Sequence, residues 1–289
     1  MLAALRVELS KFYRHRATYA GFLLLAAMAG LVVYGAAQDA RGHERRAKAE
    51  IQASLGGDFI VAGKIMSAAF VPRAILAAKL PVFVFVASLV AMAAGGAIAS
   101  EYSNGTLRTL LSRPVRRTYV VLAKWLVNAG HAVSLILFLG GVGTALGYIF
   151  LGGGDLVWLD FAGGGGFQIV PELEALRELT YAYLLQGLSM IAVASIALCI
   201  SCAVGRSATA AGITVAFLLL SGMLGVLPFE SLEKVHPYLL TTHMSTFEHV
   251  LDSAPEWGEI RRAVFWVGGY AAAGLLGAIA ILNRREIQC

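Results

Sequence analysis

The sequence has little charge and little cysteine. Of its 289 residues, 14% are charged and 58% are hydrophobic, whereas soluble domains average about 25% charged residues. Three cysteines cannot build a disulfide framework. Cys199 and Cys202 form a C-x-x-C within an apolar run, without the strand–helix context of a redox motif, so two small packing residues are the better interpretation. The composition excludes an ordinary soluble protein and indicates a membrane protein.

The chain also lacks recognisable catalytic and nucleotide-binding motifs. The run from Gly57 to Lys64 is one residue too long for a phosphate loop, and no Ser or Thr follows the lysine. No apolar run carries paired carboxylates or an H-E-x-x-H motif, and the spacings of His236, His243 and His249 suit no single-helix metal site. We therefore predict no catalytic residues, no metal site and no cofactor in this chain. An intramembrane enzyme stays the weakest alternative.

The sequence contains six long runs without any Asp, Glu, Lys or Arg. Each run has at least 21 residues, and a helix of about 20 residues crosses the hydrocarbon core of a bilayer. Backbone polar groups in lipid must bond within their own segment, which favours helices. The runs are 17–38, 80–100, 125–154, 179–205, 207–229 and 263–283. The sequence therefore predicts an all-α integral membrane protein with six transmembrane helices, forming one transmembrane domain over 1–289.

The distribution of basic residues predicts the orientation. With the amino terminus inside, the inner segments 1–16, 101–124, 206 and 284–289 hold 12 of the 23 Lys and Arg but 3 of the 18 Asp and Glu. Such an excess is typical of cytoplasmic loops. Both termini are then cytoplasmic in a multi-pass protein, expected in a bacterial inner membrane. The net charge of +5 describes this orientation and gives no reason to invoke nucleic acid.

Residues 1–16 have the pattern of an amphipathic helix. Apolar residues recur at three- and four-residue spacing, and Arg14 and Arg16 belong to the basic remainder. We expect a helix that lies on the membrane interface, with these arginines as anchors. The alternative is an exposed basic tail.

The expected outer surface has two long segments, 39–79 and 228–262. The first begins as a solvated helix, and the second mixes polar and apolar residues in a way that favours short helices dipping into the outer leaflet from the protein's own surface. Between them, Gly143 and Gly147 form a small-x-x-x-small pair that permits close helix packing. The 163–166 glycine run reads as a flexible hinge ahead of an acidic helix start.

The segment 101–117, "EYSNGTLRTLLSRPVRR", interrupts the apolar runs with a short basic helix pattern. Ser103 or Asn104 can cap its start, leucines share one face, and Pro114 stops it. Leucines facing the cytoplasm need a cover, so the helix either inserts into a groove on a separate soluble protein or lies on lipid headgroups. Composition alone does not choose between the two.

This segment, followed by Lys124 in a new span, resembles the coupling segment of type-2 ABC transporter membrane subunits, mostly bacterial exporters. The amphipathic amino terminus, the six spans and "NRREI" at 283–287 also match that family. The resemblance implies a permease, itself not an enzyme, that pairs with a separate cytoplasmic ATPase subunit, which binds ATP and magnesium. It implies a second permease copy or a paralogue. It also implies that the coupling helix between spans two and three rests on the ATPase.

The resemblance implies roles for individual residues. The residues implied to couple to the ATPase are Glu101, Gly105, Thr106, Leu107, Arg108, Leu111 and Pro114. Arg116 and Arg117 would anchor the end of the segment at the headgroups. The 39–79 segment is longer than a simple hairpin, so it is expected to form a small outer domain or to dock an outer-face partner.

A few polar residues interrupt the spans and define a possible substrate path. They are Asn128 and His131, with Ser134, on span three and Gln186, with Ser189, on span four. They either line a path or form hydrogen bonds between helices. A largely uncharged route suits export of an amphiphilic or hydrophobic cargo. A membrane scaffold that anchors an outer complex through 39–79 is the main alternative function.

Overall fold

The computed structural model describes residues 2–14, 16–54, 67–79, 81–106, 116–160, 166–226, 234, 236–251 and 256–284. Six of its helices are long and apolar enough to cross a membrane. These spans, numbered one to six below, are Thr18–Gln38, Val82–Ser103, Arg117–Phe150, Glu172–Ala203, Ser207–Gly225 and Trp257–Arg284. The prediction of an all-α integral membrane protein with six spans is confirmed.

The remaining elements connect the spans. The α-helices are Leu2–Arg14, Arg16–Ser54, Phe70–Ala77, Ala87–Ser103, Arg117–Phe150, Glu172–Ala203, Ser207–Val226, Leu240–Met244, Glu248–Leu251 and Trp257–Arg284. A π-helical turn, Pro81–Val86, opens span two, and 3-10 turns occupy His236–Tyr238 and Ser245–Phe247. We call the end of the bundle that carries the helix Leu2–Arg14 the amino-terminal end, and the other the opposite end.

Span one continues beyond the apolar run. Its helix, Arg16–Ser54, has 39 residues and is therefore about 58 Å long, against a hydrocarbon core of about 30 Å. The polar stretch after Gln38, which the sequence predicts as a solvated helix, is helical and continues the helix of span one without a break. The polar part projects past the apolar part at the opposite end.

Span four lies at the centre of the bundle and is the most buried of the six. It packs on spans two, three, five and six. Its crossing with span six is close because Gly274 has no side chain. A Cβ at Gly274 would lie 2.7 Å from the carbonyl carbon of Ser195 and 2.9 Å from the nitrogen of Ile196. Small residues bring these two backbones together, as helix packing in lipid requires.

A layer of short elements covers the opposite end. Arg73 donates to the carbonyl of Leu251 at 2.9 Å, and Tyr183 on span four donates to the carbonyl of Pro72 at 3.0 Å. Leu240, Met244, Phe247 and Leu251 are buried there. Short helices against the protein's own surface agree with what the 228–262 pattern predicts.

The glycine pair on span three does permit a close approach, but toward this layer and not toward another span. A Cβ on Gly147 would overlap the carbonyl oxygen of Ala68, and one on Gly143 would lie 3.2 Å from Cδ1 of Ile75. The amide of Ala68 donates to the carbonyl of Gly152 at 2.9 Å. The segment 67–77 therefore lies tightly against the end of span three.

A β-hairpin flanks the glycine run that the sequence interprets as a flexible hinge. Leu156–Asp160 pairs antiparallel with Gly166–Val170, so that Leu156 faces Val170 and Asp160 faces Gly166. Both segments are rich in residues that favour strands. Only the glycine run between them entered the sequence predictions, which did not include the strands. Of the predicted hinge 163–166, Gly166 begins the second strand, and 163–165 lie outside the described residues. Pro171 then precedes the acidic start of the span-four helix, as expected.

The crossing of spans four and six generates a stability prediction. Gly274→Ala should lower the free energy of unfolding by about 1–3 kcal/mol because the added methyl group meets backbone that cannot yield. Thermal unfolding of the purified protein in one detergent measures this. The matched control is Gly269→Ala on the same helix, where a Cβ meets nothing within 4 Å. Equal unfolding temperatures for the two variants would contradict the close crossing.

Candidate functional site

A buried lysine joins three parts of the amino-terminal end. Lys124, on span three, is 3% exposed in its side chain. Its ammonium nitrogen lies 2.9 Å from Oε1 of Glu101 on span two and 3.0 Å from Oε2 of Glu8 on the amino-terminal helix. Lys11 donates to the same Oε1 of Glu101 at 2.9 Å. We call Glu8, Lys11, Glu101 and Lys124 the charge cluster.

The charge cluster balances its own charge. Two carboxylates face two ammonium groups, and a buried charge of either sign is costly unless it is paired. Burial lowers the pKa of the Lys11 ammonium, but the hydrogen bond to Glu101 and the charges of Glu101 and Glu8 outweigh it and raise that pKa overall. Lys11 therefore stays charged throughout the physiological range. The cluster acts as one electrostatic unit across three helices.

Glu101 is also the first residue of the 101–117 segment. Span two ends directly after it: Asn104 caps the carboxyl end of the helix, and Gly105 adopts the left-handed conformation at φ +70°. Ser103 and Asn104, which the sequence indicated as caps of the next helix start, thus belong to the end of span two. The amide of Gly105 donates to the carbonyl of Tyr102 at 3.1 Å, and Thr106 donates weakly to the carbonyl of Glu101 at 3.3 Å.

The other residues implied in coupling fall outside this description. Leu107, Arg108, Leu111 and Pro114 lie in 107–115, beyond the described residues. The short helix predicted there remains a prediction. The structure brings one predicted coupling residue, Glu101, into the charge cluster and leaves Gly105 and Thr106 exposed beside it.

The four arginines predicted as membrane anchors have different surroundings. Arg14, Arg16 and Arg116 are exposed. Arg117 is half-buried, and its Nη1 donates to the carbonyl of Leu282 at 3.0 Å, in the last turn of span six. A cation at the carboxyl end of a helix is favourable because carbonyl groups there lack helical partners. Arg117 therefore joins span three to span six. This bond does not depend on whether the side chain also contacts lipid headgroups.

A cavity of about 290 Å³ opens beside the charge cluster. Its polar wall includes the charge cluster, Asn128 and His131, and its apolar wall runs along span two. His131 packs edge-on against Phe12 and Phe22, at ring-centroid distances of 4.7 and 5.6 Å. Two of the three predicted path residues, Asn128 and His131, thus line one cavity.

The third path residue lies elsewhere. Gln186 is fully buried in span four and does not line this cavity, and neither atom of its amide has a hydrogen-bond partner among the described residues. Asn128 donates to the carbonyl of Lys124 and Ser134 to that of His131, both within span three. The described hydrogen bonds of these two side chains therefore stay within their own helix.

Sequence reasoning missed Glu8 and Lys11 as site residues. Lys11 belongs to the basic remainder of the amphipathic pattern, and that pattern assigns no role to Glu8. Two signals were present: Glu8 is the single acidic residue in a basic segment, and Lys124 stands alone beside a charge-free run of 30 residues, 125–154. A charge at the edge of a span demands an opposite charge. The sequence does not say which carboxylate supplies it, because the partners lie 23 and 116 positions away.

Removing Lys124 should destabilise the protein strongly. Lys124→Met leaves two carboxylates close together with Lys11 as their one remaining cation in the charge cluster, at an expected cost of about 3–5 kcal/mol. Thermal unfolding in detergent reports the loss, and adding Glu101→Gln to the same chain should recover part of it because the excess negative charge disappears.

The control is the ion pair of Lys79 with Glu248 at the opposite end. Its atoms lie 2.7 Å apart, but its side chains are 51% and 42% exposed. Lys79→Met should cost less than about 1 kcal/mol because water screens an exposed pair. A Lys124→Met protein as stable as Lys79→Met would show that the charge cluster does not hold the helices together.

Comparison with known proteins agrees with this architecture. Over 135 residues the chain is 33% identical to YhcI, an uncharacterised protein of Bacillus subtilis strain 168. The match takes in 45% of this chain and 41% of YhcI, so the chain spans less than half the length of that relative. The model of the ABC-2 family transporter protein matches residues 2–252, nearly the whole chain. The chain therefore belongs to the ABC-2 family of transporter proteins.

Proposed function

We propose that a separate cytoplasmic ATPase drives this permease by docking on the 101–117 segment. The ATPase binds ATP and magnesium and moves the segment as it cycles. Glu101, at the start of the segment, passes that movement to span three through Lys124 and to the amino-terminal helix through Lys11. The permease then alternates between two arrangements of its spans.

The observation that carries this proposal is the position of Glu101. It is at once the first residue of the segment and the shared acceptor of Lys11 and Lys124, each 2.9 Å from its Oε1. A displaced segment must either take the partner helices along or separate buried charges, which costs about 3–5 kcal/mol. Shifting a two-state population from 1:99 to 99:1 takes about 5.5 kcal/mol of differential binding by the partner. Concerted movement is the less costly response.

Two features support transport of an amphiphilic or hydrophobic cargo, outward across a bacterial inner membrane. A second cavity, of about 680 Å³, lies between the start of span two and the end of span five. It mixes apolar Phe83 and Met223 with polar Thr241 and Ser245. The cavity beside the charge cluster, which Asn128 and His131 line, has the same mixed character at the other end. Gln186 would add a polar contact deeper in the bundle.

A second copy of the chain, or a paralogue, would complete the pathway. Spans one and five bury only 22% and 28% of their most apolar windows within the chain. Exposed apolar side chains such as Leu23, Phe217 and Leu220 are then free to face a partner permease or lipid. The helical part of the 39–79 segment that extends past span one, up to Ser54, would be the place for an outer-face partner.

Docking of the ATPase is tested by affinity purification from native membranes solubilised in mild detergent. The wild-type chain should retain an ATP-hydrolysing subunit, and Leu107→Asp with Leu111→Asp should lose it, because carboxylates on the leucine face oppose insertion into an apolar groove. The co-purified ATPase activity should fall at least tenfold, to the background of untagged membranes.

The matched control places the same two charges at the opposite end, as Ile169→Asp with Leu173→Asp, which are 60% and 81% exposed. This variant should retain the ATPase. Retention by the Leu107 and Leu111 variant would place the docking surface elsewhere, and loss from both variants would point to a general folding defect. Absence of any ATPase from the wild type would favour the scaffold function.

The orientation has its own test. In a background with Cys199, Cys202 and Cys289 changed to Ser, a membrane-impermeant maleimide should label Leu173→Cys in intact spheroplasts. It should label Thr106→Cys only after permeabilisation, because the excess of basic residues keeps that end inside. The reverse labelling pattern would invert the orientation and remove the segment from any cytoplasmic ATPase.

A further inference from the structure

We propose that the cavity beside the charge cluster is a binding site for a phospholipid that carries a primary ammonium headgroup, such as phosphatidylethanolamine. The lipid would be a resident of the membrane, seated between the amino-terminal helix and spans two and three. The site does not depend on the proposed ATPase, because none of its residues needs a partner chain.

The cavity has the shape of an amphiphile site. Ser100 and Glu101 mark its polar end on span two, and the same helix continues with Ala97, Ala93 and Leu89 along the apolar wall. From Leu89 to Glu101 the helix rises about 18 Å, long enough for a glycerol unit and the first part of a fatty chain. Met92, on this wall, is 64% exposed, so the cavity is open along its side. A tail can therefore enter from the bilayer.

The charges of the cavity select a zwitterion. The four charged side chains among the described lining residues are those of the charge cluster, two acidic and two basic. A purely anionic headgroup would lie next to Glu8 and Glu101 without a cation of its own. A purely cationic amphiphile would lie next to the two lysines without an anion. A headgroup that carries both charges leaves the balance unchanged.

Unpartnered acceptors select an ammonium with N–H groups. Oε2 of Glu101 and Oδ1 of Asn128 are buried, and neither has a hydrogen-bond partner among the described residues. Both atoms are acceptors on side chains that line the cavity, and Asn128 is only 4% exposed. A buried acceptor without a donor is unfavourable. A small rotation of either side chain toward an incoming donor would therefore lower the free energy of the complex. A primary ammonium offers three N–H donors, whereas a choline headgroup offers none.

Lys11 supplies the complementary contact. Its side chain is 54% exposed at the rim of the cavity, and its ammonium carries three donors, of which one goes to Glu101. The phosphate of the same lipid can accept another. The ammonium and the phosphate would then lie on opposite sides of Glu101, with the charge cluster between the lipid and the core of the bundle.

The experiment uses the full chain in nanodiscs made from equal amounts of phosphatidylethanolamine, its mono- and dimethylated forms, phosphatidylcholine and phosphatidylglycerol, all with identical acyl chains. After extraction with mild detergent, lipids that stay bound are quantified by mass spectrometry. Phosphatidylethanolamine should exceed phosphatidylcholine about tenfold, the factor expected for a lost hydrogen bond to a charged group. Retention should fall stepwise as N–H groups are methylated.

Two variants separate this site from lipid bound around the whole protein. Met92→Trp should fill the apolar wall and reduce bound phosphatidylethanolamine severalfold. Leu276→Trp, at a similarly exposed position (66%) on span six, should not. Asn128→Leu should leave a tail site but reduce the preference over phosphatidylcholine, because it removes an acceptor. The ratio of retained phosphatidylethanolamine to phosphatidylcholine is measured on the wild-type protein. The proposal therefore stays testable even if a variant fails to fold.

Three results would overturn the proposal. Equal retention of phosphatidylethanolamine and phosphatidylcholine would mean that N–H donors play no part. Preferred retention of phosphatidylglycerol would mean that the lysines bind an anionic lipid without an ammonium. Equal loss of phosphatidylethanolamine in the Met92→Trp and Leu276→Trp proteins would mean that the lipid is bound around the protein and not in this cavity.

Discussion

The amino-terminal end depends on one constraint: an ammonium group placed in a membrane span must be neutralised where it lies. The Lys124 side chain is only 3% exposed, so its charge is poorly hydrated and needs carboxylates beside it. Glu101 comes from span two and Glu8 from a helix that is otherwise basic. Satisfying a single buried cation therefore determines where the amino-terminal helix docks. It also determines how span two ends and where the 101–117 segment begins.

The two ends of the bundle are held by different forces. The amino-terminal end is joined mainly by ion pairs between side chains, which keep their strength over small shifts of the helices, together with the bond from Arg117 to the carbonyl of Leu282. The opposite end is joined by directional bonds to backbone carbonyls, from Arg73 to Leu251 and from Tyr183 to Pro72, and by the contact of Gly147 with the backbone of Ala68. Tight backbone packing of this kind tolerates little displacement. The structure thus combines a firm layer at the opposite end with an adjustable charged base, a combination that suits the proposed movement of the spans from one end.

The charge cluster and the cavity share their residues, so lipid and movement are linked. Glu101 faces Lys11 and Lys124 through one oxygen and leaves the other without a described partner. A lipid ammonium bound there would add to the attraction that holds span two against span three. Any ligand that binds one arrangement of the spans better than another shifts the population toward it. A bound headgroup would therefore bias the same contacts through which the segment is proposed to act.

The sequence by itself determined the fold class, the six spans and the place of the basic segment between spans two and three. These follow from local properties, since uninterrupted apolar length, helix periodicity and the distribution of charge are visible one segment at a time. It also marked Glu101, Asn128 and His131 as residues of interest. Only the tertiary structure brought Glu8 and Lys11 to Lys124, turned Gly143 and Gly147 toward the 67–77 segment and separated Gln186 from the other path residues. Those contacts join positions far apart in the chain, and a charge or a glycine does not encode which distant residue it will meet. That choice is made when the helices pack.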